Sequence, residues 1–296
     1  FFLIENLSHM TIEQKPSFND HEIKDWNGQR AMLWVKYADR LDIMFSTIAD
    51  TLLGTANISG GDKVLDLGCG NGSTTLLAAS QVGPNGSVTG VDVSEPMIGL
   101  AQARCANARI TNVNYILGDA AEYPFESGSF NVLISRFGSM FFGKPEVAFQ
   151  NIIPALTFGA RVVLIVWRSP QENLWATKPV EAAKEFIEMP PRPGPEDPGP
   201  FSFADTERVK KILKVAGFRG IDFTPLDLLL PLGNTLEDAV NYVMEMGPLS
   251  APLAAVKGDK REMAITAITS ALRDNQGEDG IVRLAGACWI VTCGVS

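Results

Sequence analysis

Three carboxylates end or follow short apolar runs, at spacings that suit a shared ligand site. Asp66 lies in VLDLGCGNGS, Asp92 in GVDVSEPM and Asp119 in LGDAAEYPF. Parallel α/β sheets bind their ligands beyond the carboxyl ends of the strands. These three acids are therefore candidate ligand contacts at one edge of a sheet.

A glycine-rich turn follows Asp66 directly. Gly68, Gly70 and Gly72 let the backbone turn tightly and let a ligand approach without interference from a Cβ atom. A dinucleotide fingerprint has the spacing G-x-G-x-x-G, whereas here Ser73 stands where its third glycine would be. The turn predicts a nucleotide-like cofactor but does not select one.

The acidic residues make that selection. A carboxylate at Asp66 would repel a pyrophosphate and would suit an ammonium group. S-adenosylmethionine carries an ammonium and a sulfonium and no phosphate, so Asp66 favours it over NAD. Asp92 can accept hydrogen bonds from both hydroxyls of a ribose, as acids do in NAD sites too. Asp119 is a candidate acceptor for the adenine amino group, or alternatively the cap of the turn that follows it.

The elements that position these residues alternate along the chain. Strands are predicted at 63–67, 87–92, 113–117, 130–135 and 161–167, separated by helices at 73–81, 95–107 and 145–156. Strands that alternate with helices form a parallel sheet covered on both faces.

The two ends of the chain have a different pattern. Residues 25–53 have helical spacing, and further helices are predicted at 172–188, 205–215, 236–246 and 260–273, with strands at 221–230 and 287–292. The stretch MPPRPGPEDPGP (189–200) is too rich in proline for a helix or a central strand. It is either a rigid connector or a loop that shapes a substrate entrance.

Taken in order, these motifs resemble those of class I S-adenosylmethionine-dependent methyltransferases over residues 25–168. VLDLGCGNGS resembles the first motif, GVDVSEPM the acidic second strand, and GDAAEYPFESGSFNVLISRFG the third and fourth strands. DWNGQRAMLWVKYADRLD, SRFGSMFF and IVWRSPQENLW are similar to a bacterial small-molecule branch related to quinone-biosynthesis methyltransferases. One departure is Thr157-Phe158-Gly159-Ala160, where the family usually has a proline-glycine-glycine turn; we expect it to alter a turn and not the cofactor pocket.

The resemblance implies an α/β fold: a Rossmann-like, doubly wound, seven-stranded sheet with an antiparallel last strand, capped by N- and C-terminal helical additions. Residues 11–60 would form the N-terminal helical segment, 61–168 the cofactor-binding core, and 169–296 the cap and the remaining strands. It assigns cofactor binding to Trp34, Asp66, Gly68, Gly70, Asp92, Val93, Met97, Asp119, Ala120, Ser135 and Arg136. Residues 1–10 are expected to be a tag remnant, because Ser8-His9-Met10 resembles a cloning scar.

The implied reaction is methyl transfer to a small, apolar or aromatic acceptor through an O, N or C atom. A non-methylating cyclisation or rearrangement, or a non-catalytic cofactor-binding partner subunit, stays open because no catalytic base is evident. Tyr37, Arg136 and Glu172 are weak catalytic candidates, and His21 is expected at the surface. Candidates for an apolar acceptor pocket, each also a candidate for core packing, are Trp34, Tyr37, Phe141, Phe142 and Trp167.

Composition limits the remaining partners. The 296 residues carry a net charge of −9, which argues against nucleic acid. Four cysteines without CxxC spacing and two histidines offer no metal site and suggest reduced thiols in the cytoplasm. No apolar run approaches the ~20 residues that span a bilayer. A monomer or a homodimer is expected.

Overall fold

The apolar runs of the sequence form seven strands in one sheet. The computed structural model describes residues 19–191 and 193–296, so the expected tag remnant at 1–10 lies outside the described residues. The strands are β1 (Lys63–Leu67), β2 (Ser87–Asp92), β3 (Val113–Leu117), β4 (Phe130–Arg136), β5 (Leu156–Trp167), β6 (Arg219–Gly233) and β7 (Val282–Gly294).

The sheet has the order β3-β2-β1-β4-β5-β7-β6. Strands β1 to β5 are parallel to one another, and β7 runs antiparallel to both β5 and β6. The predicted seven-stranded sheet with an antiparallel last strand is therefore confirmed. Because β1 and β4 are neighbours while β2 and β3 lie on the other side of β1, the strand order reverses beside β1, where such sheets bind ligands.

Helices cover both faces of the sheet. The N-terminal helices are α1 (Asp20–Asp25), α2 (Gln29–Lys36), α3 (Ala38–Met44) and α4 (Ser46–Ala56), and the crossover helices are α5 (Ser73–Val82), α6 (Glu95–Asn107) and α7 (Pro145–Ile152). The C-terminal half adds α8 (Leu174–Ala183), α9 (Thr206–Ala216), α10 (Leu236–Glu245), α11 (Ser250–Ala255) and α12 (Asp259–Arg273). None of the helices in the described part of the chain is long and apolar enough to cross a membrane.

The outer strands are longer than the sequence predicts. Strand β7 begins at Val282 instead of residue 287, and β6 extends from Arg219 to Gly233 instead of 221–230. Alanine and glycine in the first half of β7 have low strand propensity. A continuous antiparallel ladder with β6 holds them in the sheet nonetheless. Similarly, β5 begins at Leu156, so the departure at 157–160 lies at the start of a strand, at the opposite end from the ligand edge.

The helices α2 and α3 are tied across the carboxyl edge of the sheet. Arg104 on α6 pairs with Asp39 and Asp42 on α3, at 2.5 and 3.0 Å. On the other side, Arg40 binds Asp238 on α10 at 2.8 Å, and Lys36 pairs with Glu245. These contacts place the N-terminal helices over the strand ends.

The proline-rich connector packs against the turn that follows β4. The amide of Gly199 and the hydroxyl of Ser202 both donate to the carbonyl oxygen of Met140, at 3.1 and 2.6 Å. Met140 lies in a 3₁₀ turn at Gly138–Phe141. The connector therefore lies near the ligand edge, and its role as an entrance loop stays a prediction.

Two backbone turns meet where β1 and β4 end. A Cβ atom on Gly138 would lie 2.6 Å from the carbonyl oxygen of Leu67 and 2.7 Å from the Cα atom of Gly68. Real Cβ atoms do not approach backbone atoms that closely, so residue 138 must be glycine unless one of the turns moves.

We expect Gly138→Ala to lower the free energy of unfolding by about 1–3 kcal/mol, as overpacking does in closely packed interiors. Gly99→Ala is the matched control, because Gly99 lies within α6 and has no atom within 4 Å of its added Cβ. That change should be neutral or raise stability by up to ~1 kcal/mol. Urea denaturation followed by circular dichroism measures both, and equal effects would contradict the close contact.

Candidate active site

The glycine turn after β1 lies at the centre of the ligand edge. Gly68, Gly70 and Gly72 have φ of 68°, 52° and 78°, in the left-handed region that other residues rarely adopt. The amides of Gly68 and Cys69 both donate to the carbonyl of Val91 on β2, at 2.9 and 3.1 Å. The turn is thus fixed to the neighbouring strand. Gly68 and Gly72 leave room for Gly138 and Tyr115 of the protein itself, whereas a Cβ atom on Gly70 would meet nothing closer than the Met97 sulfur at 3.7 Å.

Asp66 lies beneath this turn and is fully buried. Its Oδ2 atom accepts hydrogen bonds from the hydroxyls of Thr74 and Thr75, each at 2.7 Å, and its Oδ1 atom has no partner among the described residues. Burial raises the pKa of this carboxyl, against the lowering effect of both threonines. Asp66 therefore joins the end of β1 to the start of α5, and it lines neither of the two cavities described next; its Oδ1 atom is a buried acceptor without a partner among the described residues.

Two cavities lie at the carboxyl ends of the strands. The larger, of about 380 Å³, is the β2–β3 cavity, lined by Ile23, Asn27, Val93, Glu95, Leu117, Gly118 and Asp119. The smaller is the β1–β4 cavity, lined by Trp34, Leu41, Asp42, Gly68, Cys69, Gly70, Asn71, Thr74, Arg136 and Phe137. Of the residues assigned to the cofactor, Trp34, Gly68, Gly70, Val93, Asp119 and Arg136 line one of these two cavities.

Asp92 links the glycine turn to the turn after β2. Its Oδ2 accepts from the amide of Gly70 at 2.8 Å, and its Oδ1 accepts from the amide of Ser94 at 2.9 Å. Burial raises the pKa of this carboxyl to about 6, although both amides lower it. Each oxygen has a second lone pair, so Asp92 can accept further hydrogen bonds.

Asn19 holds Asp119 at the rim of the β2–β3 cavity. The Nδ2 atom of Asn19 donates to both carboxylate oxygens, at 2.9 and 2.8 Å, while its Oδ1 accepts from the amide of Gly143 at 2.6 Å. Asn27 similarly donates to the carbonyl of Val93 and accepts from the amide of Glu95, both at 2.9 Å. Sequence reasoning missed both asparagines, since no motif marks a side chain that bonds so far along the chain.

The residues that line the β1–β4 cavity include one buried hydrogen-bond donor and one buried acceptor that lack partners. The Nη1 atom of Arg136 is buried and has no partner among the described residues, and the same holds for the Oδ1 atom of Asn71. Burial lowers the pKa of the Arg136 guanidinium, while the charges of Asp42 and Asp66 raise it. Asn71 donates through Nδ2 to the carbonyl of Trp34 at 2.9 Å, which connects α2 to the glycine turn.

Three other residues assigned to the cofactor support the site from behind. Ser135 is fully buried; its hydroxyl donates to the carbonyl of Leu67 at 2.8 Å and accepts from the amide of Ser139 at 3.2 Å. Met97 and Ala120 are also buried. Their direct contact with a cofactor stays a prediction.

Aromatic side chains pack against one another near the carboxyl ends of the strands. Trp34 meets Trp26 edge to face at 5.7 Å between ring centroids, and Trp26 meets Phe141 in the same way at 5.1 Å. Phe137 stacks on Trp167 at 4.3 Å with an interplanar angle of 11°. Phe142 packs instead against Phe149 on α7.

The weak catalytic candidates differ in position. Arg136 lines a cavity, whereas Tyr37 donates to Glu245 at 2.9 Å and belongs to the contact between α2 and α10. Glu172 accepts from Ser169 at 2.7 Å and pairs with Arg168, and the serine hydrogen bond is the main cause of its lowered pKa. His21 is exposed, with 90% of its side chain accessible. No cluster of metal-binding side chains occurs within 19–191 and 193–296.

Comparison with known proteins identifies a family model that matches this chain. A family model described as a methyltransferase domain matches residues 58–217, which is 160 of 296 residues. The nocamycin O-methyltransferase of Saccharothrix syringae is 37% identical over 105 residues, and a demethylmenaquinone methyltransferase of Lactococcus lactis is 36% identical over 110. These matches cover 35% and 37% of this chain, but only 38% and 44% of the two relatives.

A solved structure is similar over a longer stretch. The phosphoethanolamine N-methyltransferase 2 of Haemonchus contortus, in complex with phosphomonomethylethanolamine and S-adenosylhomocysteine, has a TM-score of 0.58 at 19% identity. The similarity covers 95% of this chain and 61% of that one, and at this identity it shows the fold alone. Because the family model matches more than half of the sequence, the chain belongs to the methyltransferase domain family.

Proposed function

We propose that this chain transfers the methyl group of S-adenosylmethionine to a small, apolar or aromatic molecule. The observation that carries the proposal is a row of carboxylates, Asp66, Asp92 and Asp119, at or just beyond the ends of β1, β2 and β3. A pyrophosphate would be repelled there, whereas a nucleoside joined to an ammonium and a sulfonium would be attracted.

The described side chains fit this cofactor. Asp92 would accept from the ribose hydroxyls, and Asp119, which already accepts from an amide NH₂ group of Asn19, would accept from the adenine amino group. Gly70 would allow the backbone of the glycine turn to approach the cofactor, because an added Cβ there meets only the Met97 sulfur at 3.7 Å. The amino-acid end would lie in the β1–β4 cavity, with Asp66 beneath it.

When bound, the cofactor supplies a methyl group already activated by a positive sulfur atom, so alignment and exclusion of water are the main tasks of the protein. The rings of Trp34, Trp26 and Phe141 exclude water on the side of the N-terminal helices. None of the residues that line the two cavities is a histidine, the commonest general base. A base, where the acceptor requires one, would come from a carboxylate of the lining, such as Asp42, Glu95 or Asp119.

The acceptor class follows from the same surroundings. The rings of Trp34 and Phe137 line the β1–β4 cavity and suit an apolar or aromatic molecule. Both relatives described above are named as methyltransferases of small molecules. The net charge of −9 supports the absence of a nucleic-acid partner, and we infer a cytoplasmic monomer or homodimer.

Methyl transfer is tested with methyl-labelled S-adenosylmethionine and a metabolite extract. We expect label to appear in a product of low molecular mass, detected by mass spectrometry, and to be lost with Asp92→Ala. A changed product without label would support a cyclisation or rearrangement instead. Binding without any product would support a partner subunit, and preferential binding of NAD by calorimetry would contradict the shared premise.

Asp92→Ala should weaken the binding of S-adenosylhomocysteine at pH 8 by about 1–3 kcal/mol, because hydrogen bonds to a charged acceptor are lost. In the wild type, affinity should also fall as the pH drops below about 6, since protonation of Asp92 removes its negative charge. The variant should lack that step. Titration calorimetry from pH 5 to 8 measures both effects, with Asp222→Ala on the exposed part of β6 as control.

The raised pKa of Asp92 also makes the free energy of unfolding depend on pH. The folded protein holds this proton more tightly than the unfolded chain, whose Asp has a pKa near 3.8. The contribution is therefore present below pH 3.8 and is lost as the pH rises through about 6, with a size of about 3 kcal/mol. Denaturation of the ligand-free protein should show this slope in the wild type and not in Asp92→Ala.

A further inference from the structure

Arg136 has a buried hydrogen-bond donor without a partner. It is the last residue of β4, the residue is partly exposed, and its Nη1 atom is buried and has no hydrogen-bond partner among the described residues. Its guanidinium lies 5.7 Å from the ring centroid of Phe45, which shields one side from water. A buried donor that stays unsatisfied destabilises the fold, so such a group needs an explanation.

The two carboxylates whose negative charges act on Arg136 are bound to other groups. Asp42 pairs with Arg104 at 3.0 Å, and Asp66 accepts from the two threonine hydroxyls of α5. They favour the charged form of Arg136 from a distance but do not bind its Nη1 atom. An anion from outside the chain would fill that position.

Asn71 contributes an unpaired hydrogen-bond acceptor to the same cavity. Only 8% of the residue is exposed, and its orientation is fixed because Nδ2 donates to the carbonyl of Trp34. Its Oδ1 atom is consequently a buried acceptor without a donor. The β1–β4 cavity therefore offers one unpaired cationic group and one unpaired acceptor to the same ligand.

We propose that Arg136 binds the α-carboxylate of S-adenosylmethionine, and that Oδ1 of Asn71 faces its ammonium group. This inference rests on the proposed function and adds to it the group that selects the amino-acid end of the cofactor. A planar guanidinium binds a carboxylate through two parallel hydrogen bonds, which gives both charge and geometry. A cofactor without the carboxylate would leave the buried Nη1 atom of Arg136 unpaired.

The test compares two probes that differ by this one group: S-adenosylmethionine and its decarboxylated form. Binding to the full chain is measured by titration calorimetry, which requires no acceptor and no turnover. We expect the wild type to prefer S-adenosylmethionine by about tenfold or more, the range for a charge-assisted hydrogen bond. Arg136→Met should weaken S-adenosylmethionine by about ten- to a hundredfold and leave the decarboxylated probe within about threefold.

Two further variants separate the role of Arg136 from general damage. Arg136→Lys keeps the charge without the paired donors and should retain part of the preference. Arg219→Met removes a positive charge from the exposed start of β6 and should leave the preference unchanged. If Arg136→Met does not fold, Arg136→Lys carries the same comparison, with thermal denaturation as the check on folding.

The outcomes are distinct. A preference for S-adenosylmethionine that is as large in Arg136→Met as in the wild type, or as large in Arg136→Lys if Arg136→Met does not fold, would overturn the assignment. If the wild type binds both probes equally, the carboxylate is not recognised and the inference is wrong while the proposed function stands. If the wild type binds neither probe, the proposed function itself fails, and this inference fails with it.

Discussion

The site depends on one close approach between the backbones that follow β1 and β4. The Cα atoms of Gly68 and Gly138 pack against each other without room for a side chain. The hydroxyl of Ser135 strengthens this contact from below, because it bonds both the carbonyl of Leu67 and the amide of Ser139. These two hydrogen bonds join the turns that follow β1 and β4.

That contact decides what the neighbouring residues can do. Between Ser135 and Gly138 the chain has only Arg136 and Phe137, and Phe137 has a φ of 69°. A left-handed bulky residue is strained and persists only where its surroundings enforce it. Here its amide donates to the carbonyl of Ile165, and its ring stacks on Trp167. The strained turn leaves Arg136 in the lining of the β1–β4 cavity.

The charge of the side chains changes from negative to positive along the ligand edge. Carboxylates occur at the ends of β1, β2 and β3, and the cation Arg136 occurs at the end of β4. A ligand with positive charge in its middle and a negative group at one end has a single favourable orientation on such an edge. The sheet order fixes that orientation, because β4 lies on the opposite side of β1 from β2 and β3.

The sequence predicted the parts of this site that the backbone dictates. Strands β2 and β3 and helix α6 have the predicted bounds, since apolar runs, a helix-starting proline and polar turns mark their ends. Strand β7 is longer than predicted because pairing with β6 overrides the weak propensity of its alanines and glycines. Asn19 and Asn27 could not be recognised, since their partners lie 66 to 124 residues away.

The same distinction explains why the sequence predicts the site of the methyl donor but not the site of the methyl acceptor. A nucleoside site at a strand edge requires glycine and carboxylate at fixed positions, and few other structures need that combination. An apolar acceptor requires aromatic side chains, which a hydrophobic core also requires. Trp34 lines a cavity and packs on Trp26, while Trp167 is buried against Phe137, so one residue type serves both purposes. Unpaired polar atoms that also line a cavity, such as those of Arg136 and Asn71, are what a ligand surface has and a packed core lacks.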